Sequence, residues 1–307
     1  MNQALPQAQV KLMYPIGAIL LAVFALSLGD ALIKALSLSF PLWQLFVMRS
    51  IVAVIPLILL IHFLPKEPGF RPKARGWVAL RSLMLTFQWI AYYAALPTID
   101  LSVAGATFYT LPLFITLFAA CFLGEHIRPL GWLAIGLGFT GVLIMLRPGA
   151  DDFSLTALLP LVGAILYALS MVLTRAKCQQ ESPLVLGLSL HLTIFIVGAV
   201  ASIGFPLLWP DALQNTGNQF IFGTWTDMGI VQWLAMSALA VAAVIGAVGG
   251  AYAYQNGPSA TVATFDYSYL AFLTVWGILF FAEIPDIFTL SGMALIVTAG
   301  VLAVRQK

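Results

Sequence analysis

Apolar residues run along this chain in blocks of about twenty, separated by short polar turns, and the blocks are apolar on every face. A helix needs about 20 mostly apolar residues to cross the hydrocarbon core of a bilayer, at about 1.5 Å of rise per residue. Ten segments satisfy that rule: 14–36, 41–64, 76–96, 101–123, 129–146, 155–174, 184–209, 229–255, 259–281 and 286–304. Membrane strands are only about ten residues long and alternate in polarity, so the pattern predicts helices. The connectors carry turn chemistry, as at Ser39-Phe40-Pro41, Pro97-Thr98-Ile99-Asp100, Arg128-Pro129 and Asn256-Gly257-Pro258. The longest, 210–228, is rich in Asn, Gln, Gly and Thr and reads as a surface loop. Residues 1–13 form a polar leading segment. The apolar block after them exceeds the roughly 7–15 residues of a signal-peptide core, so it is expected to remain as the first helix.

Composition makes the bilayer obligatory. The chain is 61% hydrophobic and 8% charged, against about 25% charged residues in soluble domains. A water-facing surface cannot be built from so few charges. The net charge of +2 and the absence of a long basic run give no footing for nucleic acid. The positive charges also predict sidedness. With the N-terminus inside, Lys11, Lys66, Arg71, Lys73, Arg75, Arg128, Arg175, Lys177, Arg305 and Lys307 fall on the inner side, and only Arg147 falls outside. That asymmetry predicts two cytoplasmic termini.

The chain also repeats itself. Ser102-Val-Ala-Gly-Ala106-Thr107-Phe108 in the fourth segment matches Ser259-Ala-Thr-Val-Ala263-Thr264-Phe265 in the ninth, and Leu113 matches Leu270 at the same offset. An acid closes each run, at Glu125 and Glu283, and the next segment of each half ends in a Gly-Val-Leu run, at Gly141 and Gly300. Five helices per half is an odd number, so the second copy enters from the opposite side. The expected fold is an all-α integral membrane protein with ten transmembrane helices in two inverted five-helix repeats. The expected division is a cytoplasmic segment 1–13, a first repeat 14–146, a linker 147–154, a second repeat 155–304 and a tail 305–307. Inverted repeats are a common build of secondary transporters, which bind substrate between the repeats near the midplane.

These paired runs, the Leu111-Pro112-Leu113 kink, the terminal Gly124-Glu125 and the Gly-rich fifth segment resemble the drug/metabolite transporter superfamily, in particular its EamA-type ten-helix members. The likeness covers nearly the whole chain. It implies a central cavity lined by helices 1, 3, 4, 6, 8 and 9, with helices 5 and 10 at the periphery. The first hairpin, Asp30-Ala-Leu-Ile-Lys34 with Pro41 and Arg49, resembles the branch that includes transporters of S-adenosylmethionine and of riboflavin.

An ionisable group at mid-membrane costs about 2.5–3.5 kcal/mol on insertion scales and is normally paired or functional. Asp30, Lys34, Arg49, His191 and Asp266 are such groups. Asp30 and Lys34 share a helix face, and Asp30 and Arg49 fall at similar depth. Two readings stand: an ion pair that locks the hairpin with Lys34 reaching outward, or a cation, Lys34 or Arg49, that meets an anionic group of the substrate. His191 and Asp266 also fall at matching depth. They read either as a proton-coupling pair or as core groups bonded to neighbouring helices. Gln88, Trp89, Tyr92, Tyr109 and Tyr269 offer flat apolar faces with a few hydrogen bonds, which suits an aromatic or zwitterionic solute. Trp43, Gln44, Tyr93, Tyr252 and Tyr254 extend that set, with Trp43 and Trp225 expected in the interfacial belt.

No enzyme motif stands out. Glu125-His126 lacks a second histidine, and no Gly-rich phosphate loop with lysine occurs. Neither a cofactor nor a metal site is expected. Cys121 reads as apolar filler and Cys178 as a free thiol in a polar loop. The expected function is secondary transport of a small organic metabolite, such as an amino acid or a compound like S-adenosylmethionine or riboflavin, by alternating access across a bacterial inner membrane. Its partners are that solute, the lipid bilayer and protons, with the chain as a monomer or homodimer. The rival classes are an intramembrane enzyme, which needs converging acid, base or metal groups, and a channel, which needs a polar stripe along one pore.

Overall fold

The computed structural model describes residues 7–37, 39–63, 69–124, 126–148, 154–208, 219–256, 262 and 265–305. Every regular element among them is helical: α1 Gln7–Leu36, α2 Leu42–Phe63, α3 Arg75–Ala95, α4 Leu101–Phe108, α5 Leu111–Leu123, α6 Pro129–Leu146, α7 Leu159–Lys177 after a 3-10 turn at Leu155–Leu158, α8 Pro183–Leu208, α9 Gln219–Phe222, α10 Ile230–Asn256, α11 Ser268–Phe281 and α12 Ile287–Arg305. Among the described residues six stretches are long and apolar enough to cross a bilayer: Met13–Leu36, Leu42–Phe63, Leu101–Leu123, Pro129–Leu146, Leu155–Thr174 and Pro183–Leu208. Ile230–Gly246, Ser268–Phe281 and Ile287–Leu302 are shorter apolar helices. Apolar side chains such as Leu21, Ile55, Ile196, Ile203 and Leu279 stand exposed on the outside of the bundle, as a lipid-facing surface requires. The first helix begins earlier than the polar leading segment implied, at Gln7.

The fourth segment is not one continuous helix. It breaks at Tyr109 and Thr110, between α4 and α5. Pro112 has no N–H to give to the carbonyl of Phe108, so the helical ladder is interrupted there. Thr110 turns the chain and its carbonyl accepts from Leu113 N at 2.9 Å. The ninth segment turns at the equivalent place: Tyr267 stands outside the helical run, and its carbonyl accepts from Leu270 N at 3.1 Å. The offset is the same 157 residues that aligns the two sequences (110 and 267, 113 and 270). A shared break without a shared proline means that tertiary packing, rather than Pro112 alone, holds the bend.

Packing runs mainly between the halves. The principal neighbours are α6 with α12, α1 with α10, α3 with α7, α2 with α8, α1 with α11, α5 with α7, α3 with α8, α2 with α10, and α4 with α11. Exchanging each helix for its counterpart in the other half turns this set of pairs into itself. The α1–α10 pair becomes α7–α3, α1–α11 becomes α7 with α4 and α5, and α3–α8 becomes α10–α2. The α6–α12 contact is backbone-close: a Cβ on Gly141 would lie 2.8 Å from the carbonyl oxygen of Gly292. Gly138 and Gly141 of the fifth segment therefore serve packing within the chain, whereas Gly136 faces open space. On α10, Gly246 faces Leu26 of α1, whereas Gly250 faces open space.

The two ends are tied by side chains. After α9 the chain lies across the α1–α2 turn as a strap. Gln44 holds it in both directions, Nε2 donating to Thr226 O at 2.7 Å and Oε1 accepting from Thr226 N at 2.9 Å. Trp43 Nε1 donates to Ile221 O at 2.6 Å, and Trp225 Nε1 donates to Ser202 Oγ at 2.9 Å. The part of the long connector that is described is thus a fastened segment, not a free surface loop. Trp43 is a buried anchor for it rather than a belt residue. At the other end Glu181, between α7 and α8, accepts from the backbone N–H groups of Lys73 and Ala74, before α3, at 3.1 and 2.6 Å. Both cysteines are free, but their exposure reverses expectation: Cys121 is exposed on the bundle and Cys178 is buried against Val78 and Leu186. Burial pushes the Cys178 thiol up from its ordinary pKa.

Candidate functional site

Asp30 is the centre of a buried polar cluster at the seam of α1, α3 and α11. It sits on α1 next to Gly29, which faces Leu239 and Ala242 of α10. Tyr269, from the first turn of α11, donates its hydroxyl to Asp30 Oδ2. Tyr93, from α3, donates to Oδ1 at 3.4 Å, and Tyr92 OH lies 3.3 Å from Tyr269 OH. All four side chains are buried. Arg49, from α2, donates through its terminal nitrogen to Tyr93 OH at 3.1 Å. Asp30 and Arg49 are therefore brought together as the sequence suggested, but through a tyrosine hydroxyl and not as a direct ion pair. The Arg49 guanidinium carbon lies 5.8 Å from the centre of the Trp89 ring and 5.6 Å from that of Tyr93. Those two rings stack at 5.0 Å.

A second limb reaches the break in α4. Tyr109 stacks on Tyr269 at 4.8 Å, and its hydroxyl donates to Asp266 Oδ1 at 3.4 Å. Tyr109 and Asp266 hold the same place in the two halves, each one residue before its break, so the repeat itself brings them face to face. Across the bundle several buried polar side-chain atoms lack a hydrogen-bond partner: both amide atoms of Gln88, the Oγ atoms of Ser50, Ser82 and Ser102, Thr107 Oγ1, Arg49 Nε, Arg81 Nη1, His191 Nδ1 and Tyr267 OH. Unpaired buried groups are uncommon in native cores and each costs about 1–3 kcal/mol. Two of them adjoin the tyrosine cluster: Arg49 bonds Tyr93, and Gln88 precedes Trp89 on α3.

Lys34 does not join this cluster. It pairs with Glu283, just beyond α11, and donates to Ile99 O at 2.6 Å. Glu283 also accepts from Leu101 N, the first residue of α4, at 2.8 Å. One carboxylate thus ties the end of α1 to the broken fourth segment at one end of the bundle. Sequence reasoning missed this role for Glu283. The available signal was a lone acid in the short turn after an aromatic-rich run, on the same side of the membrane as Lys34. His191 and Asp266 are not a pair either. Asp266 meets Tyr109, while His191 stands on α8 with its Nδ1 buried and without a hydrogen-bond partner. Helix depth was matched, but α8 packs on α2 and α3 and carries His191 to that side. Tyr252 is exposed, and the side chain of Tyr254 lies outside the described residues.

Residues 13–147 match the model of the EamA-like transporter family. The chain belongs to that family. It is 26% identical over 291 residues to a pseudopaline exporter of Pseudomonas aeruginosa, covering 94% of each chain. It is 30% identical over 221 residues to a riboflavin transporter of Rhizobium johnstonii, 71% of this chain and 66% of that one. An S-adenosylmethionine uptake transporter of Rickettsia bellii is 25% identical over 228 residues, covering 74% and 72%. A solved crystal structure at 19% identity superposes with a TM-score of 0.59 over 96% of both chains, which shows a shared fold. The family and these relatives are transporters rather than enzymes, and the chain is a multi-pass membrane protein that carries small metabolites.

Proposed function

We propose that this protein is a secondary transporter of the bacterial inner membrane, with ten crossings, both termini cytoplasmic, and a substrate that is zwitterionic or aromatic. The repeats run over 14–146 and 155–304, and rocking one against the other alternates access to the seam between them. The observation that carries this reading is the seam itself. It offers a carboxylate held by tyrosine hydroxyls, a guanidinium lying on aromatic rings, and hydrogen-bonding atoms without partners. An ammonium or sulfonium group suits Asp30, a planar ring suits Trp89, Tyr92, Tyr109 and Tyr269, and Gln88 supplies a donor and an acceptor. The names of the relatives, exporters and importers of charged or heterocyclic metabolites, agree with that chemistry. Asp266 and His191 belong to this reading as polar neighbours of the pathway, and proton coupling through a membrane carboxylate is part of it.

In the proposed orientation the Lys34–Glu283 tie closes the outer end, and it must part before the outer mouth opens. The test is counterflow in proteoliposomes with labelled amino acids, S-adenosylmethionine and riboflavin, alongside a thermal-stabilisation screen with the same compounds. One panel member should exchange and stabilise. Tyr269→Phe and Gln88→Leu should lower its apparent affinity without loss of folded protein. Exchange that is unaffected by either variant overturns the placement of the site.

A further inference from the structure

Arg49 is a buried charge that no carboxylate among the described residues meets directly. It is 7% exposed, and the acid that acts across from it, Asp30, is held off by the Tyr93 hydroxyl. Neither ion pair among the described residues includes it. Three rings, Phe46, Trp89 and Tyr93, lie within 5.9 Å of its guanidinium carbon. Aromatic faces hold a cation weakly and offer no in-plane acceptor to its N–H edge. That edge is left open: Arg49 Nε is buried with no hydrogen-bond partner. His191 lies on α8, the helix packed against α2, and presents a second such atom, Nδ1. A narrow crevice beside Arg49 is lined otherwise by Ile33, Leu42, Leu45, Phe46 and Leu239, with Tyr93 as its other polar wall. The titratable groups on the elements around Arg49 are Asp30 from α1 and Tyr93 from α3, which the hydrogen bonds place, and His191 from the packed helix α8.

A buried guanidinium with its Nε–H unengaged, apolar walls and an imidazole on the neighbouring helix is a donor set for a carboxylate or phosphate, which a planar guanidinium binds through two parallel hydrogen bonds. We propose that Arg49 and His191 form an anion seat, distinct from the Asp30 carboxylate, that takes a carboxylate or phosphate of the transported solute. This rests on the transport reading above and sharpens it: the solute carries an anionic group as well as any cationic or aromatic part. With Asp30 on the other side of Tyr93, the two seats are spaced for the two ends of a zwitterion, and Tyr93 occupies the position between them.

The experiment uses matched probes, benzoate and benzamide, which share a ring and differ only in charge at the carboxyl carbon. Thermal stabilisation of the purified full-length protein is measured against the concentration of each. Benzoate is expected to raise the melting temperature more than benzamide does. The difference should vanish in Arg49→Met, shrink in Arg49→Lys, which keeps the charge but loses the fork, and shrink in His191→Gln. It should persist in the double variant Lys34→Met/Glu283→Gln, which removes the other buried cation together with its acid. Equal effects of the two probes on the wild-type protein, including none from either, overturn the seat. So does a benzoate preference that survives Arg49→Met. Counterflow of a neutral panel member by a protein without benzoate preference would remove the anion seat and leave the transport reading standing.

Discussion

Two buried polar regions of this protein are built to opposite rules. At the end of α1, Lys34 and Glu283 satisfy each other and the two backbone groups beside them, Ile99 O and Leu101 N. In the seam a few turns deeper, Arg49 and Gln88 keep buried atoms without partners. Both regions pay the cost of removing charge or dipole from water. The first recovers it within the chain, so its residues are bound to one another and serve as a tie. The second leaves it unrecovered, which is sensible only where another molecule completes the set.

Breaking the tie should give the largest effect. Glu283→Gln leaves the Lys34 ammonium without its acid and should lower stability by about 3 kcal/mol, read by denaturant titration in detergent. Lys34→Met/Glu283→Met should recover most of that loss. A double variant as unstable as the sum of the singles would show that the two residues act apart. Next in size, Tyr93→Phe removes the hydroxyl between Arg49 and Asp30 and should cost about 1–3 kcal/mol, with a matching loss of counterflow. Gln88→Leu sharpens the contrast. Because its amide has no partner, the stability of the substrate-free protein should stay level or rise slightly, while substrate affinity falls. Marked destabilisation by Gln88→Leu would place that amide in the packing instead. The smallest effect belongs to the exposed pair Arg147–Asp286. Arg147→Ala should change stability by about 1 kcal/mol or less, and less still at high salt.

A fifth outcome concerns reactivity rather than stability. Cys178 is buried and its thiol is pushed up by that burial. A maleimide should therefore modify Cys178 slowly in folded protein and quickly after denaturation, as judged by mass spectrometry. Rapid modification of the folded protein would contradict the packing of Val78, Cys178 and Leu186.

Much of the architecture was legible along the chain. The ends of α2, α6, α8 and α12 fall within a residue or two of the expected segments, and the Leu111-Pro112-Leu113 bend lies where the helix breaks. The candidate site was legible by residue type but not by partnership. Asp30, Arg49, Tyr92, Tyr109 and Tyr269 do converge, yet Lys34 leaves the group and Trp43 and Gln44 turn out to fasten a strap. Depth in the membrane can be counted from residue numbers. The direction in which a side chain points around its helix matters only relative to neighbours the count does not name.

By itself the sequence determined the helices, their approximate lengths, the family and the kinship of the two halves, because transfer of an apolar segment into lipid sums residue by residue and needs no knowledge of neighbours. Only the tertiary structure decided that Lys34 meets an acid 249 residues away, that Tyr93 stands between Arg49 and Asp30, and that Asp266 turns toward Tyr109. Those choices depend on which helices touch and at what rotation. In this bundle nearly every large contact joins one half of the chain to the other, so no local stretch of sequence contains both partners.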